Sequence, residues 1–385
     1  MSKKQDTRAM RDAADRVAAS LSRRQFLGSG VALGAGGLLA DLGLSRYAQA
    51  QNAATPPAPP TGGGGAPPRR PPPPPEPTVS QPPPLKDLKG KVAYVTAGSD
   101  GIGLGIARAA SNAGMKVVIG YRNDERLKAA LPLFKAGNAG VLPIKHDVTD
   151  RDGWKQLVDQ IKSQYGKLHL VVNNAGVKTL TQASKAKYEE WDNAVAVNMT
   201  AIYNSVAACL PHMLEHGEGG HFVTTASMGG LLPGVNAGIY TATKIAAVGT
   251  MEALRVELES TRVGTSVFCP GGVNTDNYFA SGEQNPFRKP PPPGAPRFGM
   301  FSMDPLEAGE RVMNGVVNND LFILSHPEFK PGMQERFDAI MDSTPPVEAP
   351  IAQGRIDAER GVIRCGIYER EIEHRKAKRS SYRSV

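Results

Sequence analysis

Tyr240 and Lys244 stand four residues apart in the stretch IYTATK, which places them on one face of a helix. A tyrosine phenol with a pKa of about 10 exchanges protons poorly at neutral pH. An ammonium group one turn away stabilises the phenolate and lowers that pKa, so Tyr240 could exchange a proton with an alcohol or ketone. Most pairs at this spacing simply lie on a helix surface, so the pair alone identifies no site.

The stretch TAGSDGIG begins at Thr96, between an apolar strand-like run and a helix-like one. The N-terminus of a helix offers free N–H groups and a positive dipole end, which suit a pyrophosphate. Glycines serve where the backbone turns tightly or approaches a ligand. A plain strand-to-helix turn is the alternative for a lone glycine pattern. The nucleotide hypothesis predicts cofactor contacts from Gly98, Ser99, Gly101, Ile102 and Gly103.

The second strand-like run ends in GYRN, where an acidic side chain would bind the adenosine ribose of NAD. Tyr121 and Arg122 stand there instead. Arg122 is suited to pair with the 2′-phosphate of NADP, although a surface arginine without a ligand is the simpler alternative. The pattern favours NADP over NAD.

The elements that must position these residues are seven short strand-like runs, which alternate with amphipathic stretches from Lys91 onward. They are KVAYVT, KVVIGY, VLPIKHD, HLVVNN, HFVTTA, TSVFCP and LFILS. Strands alternating with helices predict a parallel sheet covered on both faces. We therefore expect an α/β fold over residues 87–345: a Rossmann-type doubly wound parallel sheet of about seven strands, in a single domain.

Together these motifs resemble the short-chain dehydrogenase/reductase family over about residues 88–344. The family's Thr-Gly-x-x-x-Gly-x-Gly turn matches from Thr96, except that Ala97 replaces the first glycine. Its other motifs match Asp147 and Val148; Asn173, Asn174, Ala175 and Gly176; Asn198; Ser227, 13 residues before Tyr240; and Pro270, Gly271, Val273 and Thr275.

The resemblance implies an NAD(P)-dependent oxidoreductase that transfers a hydride between the nicotinamide and a carbonyl/alcohol substrate. Tyr240 would be the general acid/base, and Lys244 would lower its pKa and hold the nicotinamide ribose. Ser227 would stabilise the substrate oxygen, and Asn198 would hold a water in a proton relay. Cofactor contacts are also implied for Asp147, Val148, Asn174, Ala175, Gly176, Pro270, Gly271, Val273 and Thr275.

The family's usual dimer face predicts a homodimer or homotetramer through helices near 191–214 and 240–260. Substrate contacts are expected from 228–235, from residues around Lys178 and from the long segment 276–303. Aromatic residues in that segment favour an apolar or aromatic ketone or alcohol, although they could equally anchor a lid. A nucleotide-loaded binding or structural protein with little catalysis is the alternative function, which the full set Ser227, Tyr240 and Lys244 disfavours.

The N-terminus has the three parts of an export signal in residues 1–50. They are a basic segment, the uncharged stretch 26–40 and the small-residue pattern AQA at 48–50. The pair Arg23 and Arg24, before Phe26 and Leu27, resembles the twin-arginine signal. A buried N-terminal helix with a chance arginine pair is the alternative. We expect export to the periplasm through the twin-arginine machinery, with membrane anchoring if the signal is not cleaved.

Composition bounds the remaining partners. The net charge of +8 comes entirely from the two ends of the chain, so no domain carries the basic face that a nucleic-acid partner requires. The proline-rich stretch 51–86 predicts a disordered, semi-stiff linker. Residues 346–385 predict a solvated helix or a disordered tail. The three cysteines have no metal-ligand spacing and are read as buried, inert thiols, with no metal site expected.

Overall fold

The computed structural model describes residues 77, 79–134, 140–275, 302–346, 351–362 and 366–382. The strands are β1 (Val92–Val95), β2 (Lys116–Tyr121), β3 (Val141–Lys145), β4 (Leu170–Asn173), β5 (Gly220–Thr225), β6 (Val263–Cys269) and β7 (Phe322–Leu324). The helices are α1 (Gly101–Asn112), α2 (Asp124–Ala130), α3 (Arg151–Tyr165), α4 (Tyr188–Val195), α5 (Ala201–His216), α6 (Gly238–Leu258), α7 (Pro305–Asn318), α8 (Lys330–Asp342), α9 (Gln353–Val362) and α10 (Gly366–Tyr382).

All seven strands run parallel in one sheet of order β3-β2-β1-β4-β5-β6-β7. Val95 near the end of β1 pairs with Ile119 on β2 and with Val172 on β4. The chain order therefore reverses beside β1, and such a reversal opens a crevice at the carboxyl ends of the strands. The predicted α/β fold with seven parallel strands is confirmed.

Helices cover both faces of the sheet and bury its central strands, while the edge strands β3 and β7 stay partly exposed. On one face, Trp154 of α3, Met251 of α6 and Phe222 of β5 belong to one cluster of buried side chains. On the other, Ile106 of α1 and Val312 of α7 belong to a second cluster. Because both faces of these central strands are buried, β1 is a continuous apolar run, and β4 is one up to its last residue, Asn173. The sheet is therefore a rigid base for whatever its carboxyl edge carries.

Helix α10, Gly366–Tyr382, corrects the prediction of a solvated or disordered tail for its own part of residues 346–385. Its Ile367 and Arg370 are buried, and Arg370 forms an ion pair with Glu259. Buried Asp320 contacts three side chains of the same helix, His374, Arg375 and Lys378. Basic side chains on the inner face of α10 thus form ion pairs with Glu259 and Asp320, which replace their contacts with water.

The end of the predicted linker also packs on the core. Leu85 is buried, and the Gln81 side-chain amide donates to the carbonyl oxygens of Leu258, Thr261 and Val263 at 2.9–3.1 Å. These bonds hold residues 79–86 in place, so this part is not a free linker. The predicted signal at 1–50, and residues 51–76 and 78 of the linker, lie outside the described residues.

One uninterrupted helical stretch among the described residues, Tyr188–His216, is long and apolar enough to cross a membrane by length and composition alone. Its most apolar 18-residue window has a mean hydropathy of 1.3, and 44% of that window is buried inside the fold. Ala201, Ile202 and Met213 of this stretch belong to the hydrophobic core. Their burial is that of a core helix.

Cys209 and Cys269 are free and buried, as predicted for inert thiols. Burial raises the pKa of each thiol to about 12, so neither is a thiolate at neutral pH. Cys365 lies outside the described residues.

Candidate active site

The glycine-rich turn joins β1 to the N-terminus of α1. Ala97 adopts a left-handed conformation with φ of 49°, and Gly98 donates its N–H to the Gly120 carbonyl at 2.9 Å. A Cβ on Gly98 would lie 2.8 Å from Ile119, and one on Gly103 would overlap the Ala97 carbonyl. Asp100 caps α1 by accepting from Gly101 N at 2.7 Å. The first-turn N–H groups that follow are available to an anion.

Thr96 ties this turn to the motif after β4. Its hydroxyl accepts the N–H groups of Asn174 and Ala175, both at 2.8 Å, and donates to the Val172 carbonyl at 3.2 Å. The Asn174 side chain donates back to the Thr96 carbonyl at 3.3 Å. Two segments that are 78 residues apart in sequence therefore form one wall.

Ser227 and Tyr240 flank a single glycine. A Cβ on Gly229 would lie 3.2 Å from Tyr240 Cε1 and 3.5 Å from Ser227 Oγ. Ser227 follows β5 and its Oγ accepts the Gly229 N–H at 3.0 Å, which leaves the hydroxyl proton for another acceptor. Tyr240 lies in the first turn of α6.

The Lys244 ammonium group lies one turn further along α6. Its Nζ is 5.7 Å from the Tyr240 ring centroid and donates to the Thr225 carbonyl at 2.9 Å. The side chain is almost fully buried, and this burial lowers the pKa of Lys244 to about 8. A Cβ on Gly176 would lie 3.5 Å from this Nζ, which is ordinary contact, and 3.3 Å from Asn198 Oδ1, which is tight.

Asn198 lies in a π-helical turn, Ala196–Thr200, between α4 and α5. Its Oδ1 accepts the Val177 N–H at 2.8 Å, which fixes the orientation of the amide. Its Nδ2 donates to the Val177 carbonyl at 2.9 Å and to Thr243 Oγ1 at 3.0 Å. The amide thus joins the segment after β4 to α6. Such π-turns are frequent at functional sites.

Two arginines lie near the ends of β2 and β3. Arg122 Nη1 is 3.5 Å from Asp147 Oδ2, and both side chains are about half exposed. Partial burial raises the pKa of Asp147, but hydrogen bonds from Thr149 and the nearby Arg122 outweigh it, so the net shift is downward. Arg126 of α2 forms an ion pair with Asp100, the cap of α1. Each cation thus has a carboxylate beside it.

One cavity of about 640 Å³ connects these groups along the carboxyl edge of the sheet. Its volume lies within the range of ligand sites. Arg122 and Arg126 line it, as do Tyr240 and Lys244. Predicted cofactor contacts that line it are Ser99, Ile102, Tyr121, Arg122, Val148, Asn174, Ala175, Gly176, Tyr240, Lys244, Pro270, Gly271, Val273 and Thr275, and Ser227 lines it too.

Five predicted site residues do not line the cavity: Gly98, Gly101, Gly103, Asp147 and Asn198. The three glycines belong to the turn before α1. Asn198 lies behind the cavity wall, where its amide donates to Thr243 Oγ1. The predicted substrate contacts that line the cavity are Met228, Gly229, Leu232, Pro233, Gly234, Val235 and Lys178, while residues 276–301 lie outside the described part of the chain.

Several lining residues were not predicted from the sequence: Asp100, Arg126, His146 and Phe329. Arg126 lies in the first turn of α2, just after the end of β2, and its position near that strand end is the signal that could have suggested it. His146 is held by Tyr94, whose hydroxyl lies 2.6 Å from Nδ1, and its burial lowers the His146 pKa. No local pattern announces Phe329, because it reaches the cavity from beyond β7.

Comparison with known proteins decides the family. The family model for short chain dehydrogenases matches residues 91–285. The chain belongs to the short chain dehydrogenase family. It is 28% identical to the C alpha-dehydrogenase of Sphingobium sp. (strain NBRC 103272 / SYK-6) over 276 residues, which are 69% of this chain and 90% of that protein.

Two solved short chain dehydrogenases share the fold. One, from Novosphingobium aromaticivorans, has a TM-score of 0.62 at 31% identity, covering 76% of this chain and 99% of its own. The other, from Burkholderia phymatum in complex with NAD, has a TM-score of 0.61 at 26% identity, covering 69% and 99%. Family membership makes this chain an oxidoreductase of a family that binds NAD(P).

The residues of this short chain dehydrogenase fit such a nucleotide. The turn before α1 offers backbone N–H groups at a helix N-terminus, and the cavity continues from there to Tyr240 and Lys244. Arginines stand at the opposite end, where the family resemblance places the adenosine. The donor set therefore suits an anionic dinucleotide laid along the carboxyl edge of the sheet.

Proposed function

We propose that this protein interconverts a carbonyl compound and an alcohol with a nicotinamide cofactor, with Tyr240 as the general acid/base. The observation that carries the proposal is the meeting of Ser227, Tyr240 and Lys244 in the cavity that also borders the nucleotide turn. A protein that only binds a nucleotide has no need of that set.

In reduction, the nicotinamide supplies a hydride to the carbonyl carbon when it is bound. Tyr240 donates its phenolic proton to the carbonyl oxygen, which becomes the alcohol hydroxyl. The Ser227 hydroxyl donates a hydrogen bond to the same oxygen and stabilises its developing charge. The Lys244 ammonium stabilises the Tyr240 phenolate until a proton returns to it.

Asn198 is proposed to take part in the return of that proton through a water molecule. Both of its Nδ2 hydrogens are engaged, by the Val177 carbonyl and by Thr243. The second lone pair of Oδ1 and the backbone carbonyl are therefore the atoms that could hold the water.

The test is the Tyr240→Phe variant, for which we expect kcat to fall by about a hundredfold to ten-thousandfold. Cofactor affinity should change little, because only the hydroxyl is lost. Tyr165→Phe on α3 is the matched control, since Tyr165 lies in the last turn of that helix and outside the cavity. Unchanged turnover in Tyr240→Phe would overturn the mechanism.

We propose NADP as the cofactor rather than NAD. The support is Arg122 and Arg126 at the adenosine end, with no carboxylate at the end of β2. Arg122→Gln should weaken NADP binding by about tenfold to a hundredfold and leave NAD binding unchanged, since a charge-assisted hydrogen bond is lost. Arg311→Gln on α7 is the control. Equal losses for both cofactors would contradict the preference.

The proposed substrate is an apolar or aromatic ketone or alcohol. The cavity that holds Tyr240 has the apolar lining residues Leu180, Leu232, Val235, Met228 and Phe329. Turnover of aryl ketones, compared with aliphatic hydroxy-ketones of equal size, would test this choice. We expect kcat/KM to be higher for the aryl ketones, and the reverse order would exclude the proposed class.

Export through the twin-arginine route remains a proposal, supported by the arginine pair, the apolar stretch and the AQA pattern. That compartment is not expected to regenerate NADP, so the cofactor would travel tightly bound or be recycled between two substrates. Mass spectrometry of the exported protein should give Gln51 as the first residue and show a bound nucleotide. Export that persists in an Arg23→Lys, Arg24→Lys variant would argue against this route.

We propose a homodimer or homotetramer, because α4 and α5 carry exposed aromatic side chains that a partner subunit could cover. Tyr188 is 87% exposed, Trp191 44% and Tyr203 65%. Apolar groups of this size are often covered by a partner. Sedimentation velocity should show an oligomer that Trp191→Glu dissociates, and a monomeric wild type would refute the assembly.

A further inference from the structure

The loop Pro270–Thr275, which follows β6, forms part of the cavity wall and is hydrogen-bonded by an imidazole ring. His326 lies two residues beyond β7 and is buried. Its Nδ1 is 2.9 Å from the Gly271 nitrogen, and its Nε2 is 3.1 Å from the Gly272 carbonyl oxygen. The ring thus bonds two consecutive residues of the loop, Gly271 and Gly272, from a segment more than fifty residues away.

The two partners fix which nitrogen carries the proton. A backbone N–H can only donate, so Nδ1 must accept from Gly271. A carbonyl can only accept, so the hydrogen resides on Nε2 and is donated to Gly272. Ser325 Oγ lies 2.8 Å from Nδ1 on the same side. One rigid ring therefore satisfies both glycines, accepting at Nδ1 and donating at Nε2.

The His326 ring packs so closely on Gly271 that a side chain there would not fit. A Cβ on Gly271 would lie 2.8 Å from His326 Cδ2 and 2.9 Å from Phe329 Cε2. Phe329 also packs on the His326 ring, with centroids 6.4 Å apart, and itself lines the cavity. The loop therefore lies directly against the imidazole and its aromatic neighbour.

The same loop is connected to the turn that carries Ser227. Met228, the next residue, donates its N–H to the Pro270 carbonyl at 2.9 Å. A displacement of the loop would therefore also move the turn that carries Ser227.

We propose that His326 is a positioning residue, which sets the loop Pro270–Thr275 for the nicotinamide half of the cofactor. This inference rests on the proposed function, because it is the family resemblance that assigns this loop to the nicotinamide. It adds a residue outside the family's motifs that acts through Gly271 and Gly272 and touches no reacting atom.

The loop has a second anchor, so loss of His326 should displace it rather than unfold it. Met303 donates its N–H to the Gly272 carbonyl at 3.0 Å and accepts from the Asn274 N–H at 2.9 Å. Gly272 keeps this bond when the imidazole is removed, whereas Gly271 loses its acceptor.

Three variants separate the two contacts. His326→Phe keeps a ring and loses both hydrogen bonds. His326→Asn offers an acceptor near the Nδ1 position for Gly271, and His326→Gln offers a donor near the Nε2 position for Gly272. His221→Phe is the matched control, because His221 is a buried histidine near the start of β5 that bonds Ser266 at 2.8 Å, at the opposite end of the sheet.

The readout is binding of NADP against binding of 2′,5′-ADP, which lacks the nicotinamide half, together with the melting temperature. We expect His326→Phe to weaken NADP binding by about tenfold, from two lost neutral hydrogen bonds, with 2′,5′-ADP binding unchanged. His326→Asn and His326→Gln should each recover part of the loss. His221→Phe should lower the melting temperature without changing either affinity.

Two results would overturn the inference and remain distinguishable from each other. If the wild type binds NADP and His326→Phe binds it equally well, with only a lower melting temperature, His326 is merely structural. If the wild type binds neither NADP nor NAD, the proposed function fails, and the positioning role fails with it.

Discussion

At the residue scale, the buried ammonium of Lys244 is the most informative group of the site. It has one carbonyl partner, Thr225 at 2.9 Å, and burial lowers its pKa to about 8. The free protein therefore holds a cation near Tyr240 at neutral pH and loses it in mildly alkaline solution. An anion that binds beside Lys244 should therefore raise its pKa.

Cofactor affinity should fall as the pH rises through about 8. Below that pH Lys244 is charged and attracts an anionic dinucleotide, while above it the neutral amine does not, and bound cofactor must correspondingly raise the Lys244 pKa. NADP dissociation constants measured from pH 6.5 to 9.5 check this expectation. In Lys244→Met the dependence should flatten, and a wild-type profile without any slope near pH 8 would contradict it.

Gly103 in the nucleotide turn should not tolerate a side chain. Its Cβ would overlap the Ala97 carbonyl and lie 2.5 Å from Asn174 Nδ2. Gly103→Ala should cost about 1–3 kcal/mol of unfolding free energy and abolish cofactor binding, as overpacking distorts the turn. Urea denaturation and NADP titration measure both.

Ala97→Gly is the matching control in the same turn. Ala97 already adopts φ of 49°, a conformation that glycine accepts without strain. We expect its cofactor affinity to change by less than about 1 kcal/mol. A loss of binding here would mean that the Ala97 methyl group itself supports the turn.

At the scale of elements, α1 and α7 approach each other through glycines. A Cβ on Gly105 would overlap the Pro305 carbonyl, and one on Gly309 would overlap the Gly105 carbonyl. The two backbones are thus nearly in contact behind the nucleotide turn. This closeness fixes where the N-terminus of α1 lies relative to the sheet.

Gly105→Ala should separate α1 from α7 and lower the free energy of unfolding by about 1–3 kcal/mol, even though alanine is the better helix former. Gly249→Ala in α6 is the control, since a Cβ there meets nothing within 4 Å and the position is exposed. That variant should gain up to about 1 kcal/mol. Equal melting temperatures for the two variants would refute the contact.

At the scale of the whole molecule, α10 connects the two ends of the described chain. Arg370 donates to the Pro77 carbonyl at 2.8 Å and pairs with Glu259 at the end of α6, while its own carbonyl accepts from Ser80 at 2.9 Å. The side chains of the ion pair are only 10% and 9% exposed. Removing one partner of this buried pair should therefore cost far more unfolding free energy than removing one partner of a surface pair.

Arg370→Met should destabilise the protein by about 3–5 kcal/mol, because it leaves the buried Glu259 carboxylate without its partner. Arg311→Met breaks the pair with Glu307, whose side chains are nearly half exposed, and should cost less than about 1 kcal/mol. Urea denaturation of both variants gives the comparison. A small loss for Arg370→Met would show that α10 contributes little to the fold.

The sequence by itself determined the seven strands and the helix face shared by Tyr240 and Lys244. These depend on short-range periodicity and turn chemistry, which neighbouring residues carry. It did not reveal that Gln81 and Arg370 bind the core. Their charged and proline-rich surroundings are typical of solvated segments, and only partners far along the chain make their burial favourable.

Only the tertiary structure decided which separate segments meet at the site. Gly229 between Ser227 and Tyr240, the pairing of Arg126 with Asp100, and the contact of His326 with Gly271 all join residues from different elements. Such contacts depend on the order of strands in the sheet and on how closely helices pack. Local sequence fixes neither, so the geometry of the candidate site emerges only when β1, β4, β5 and β6 end side by side.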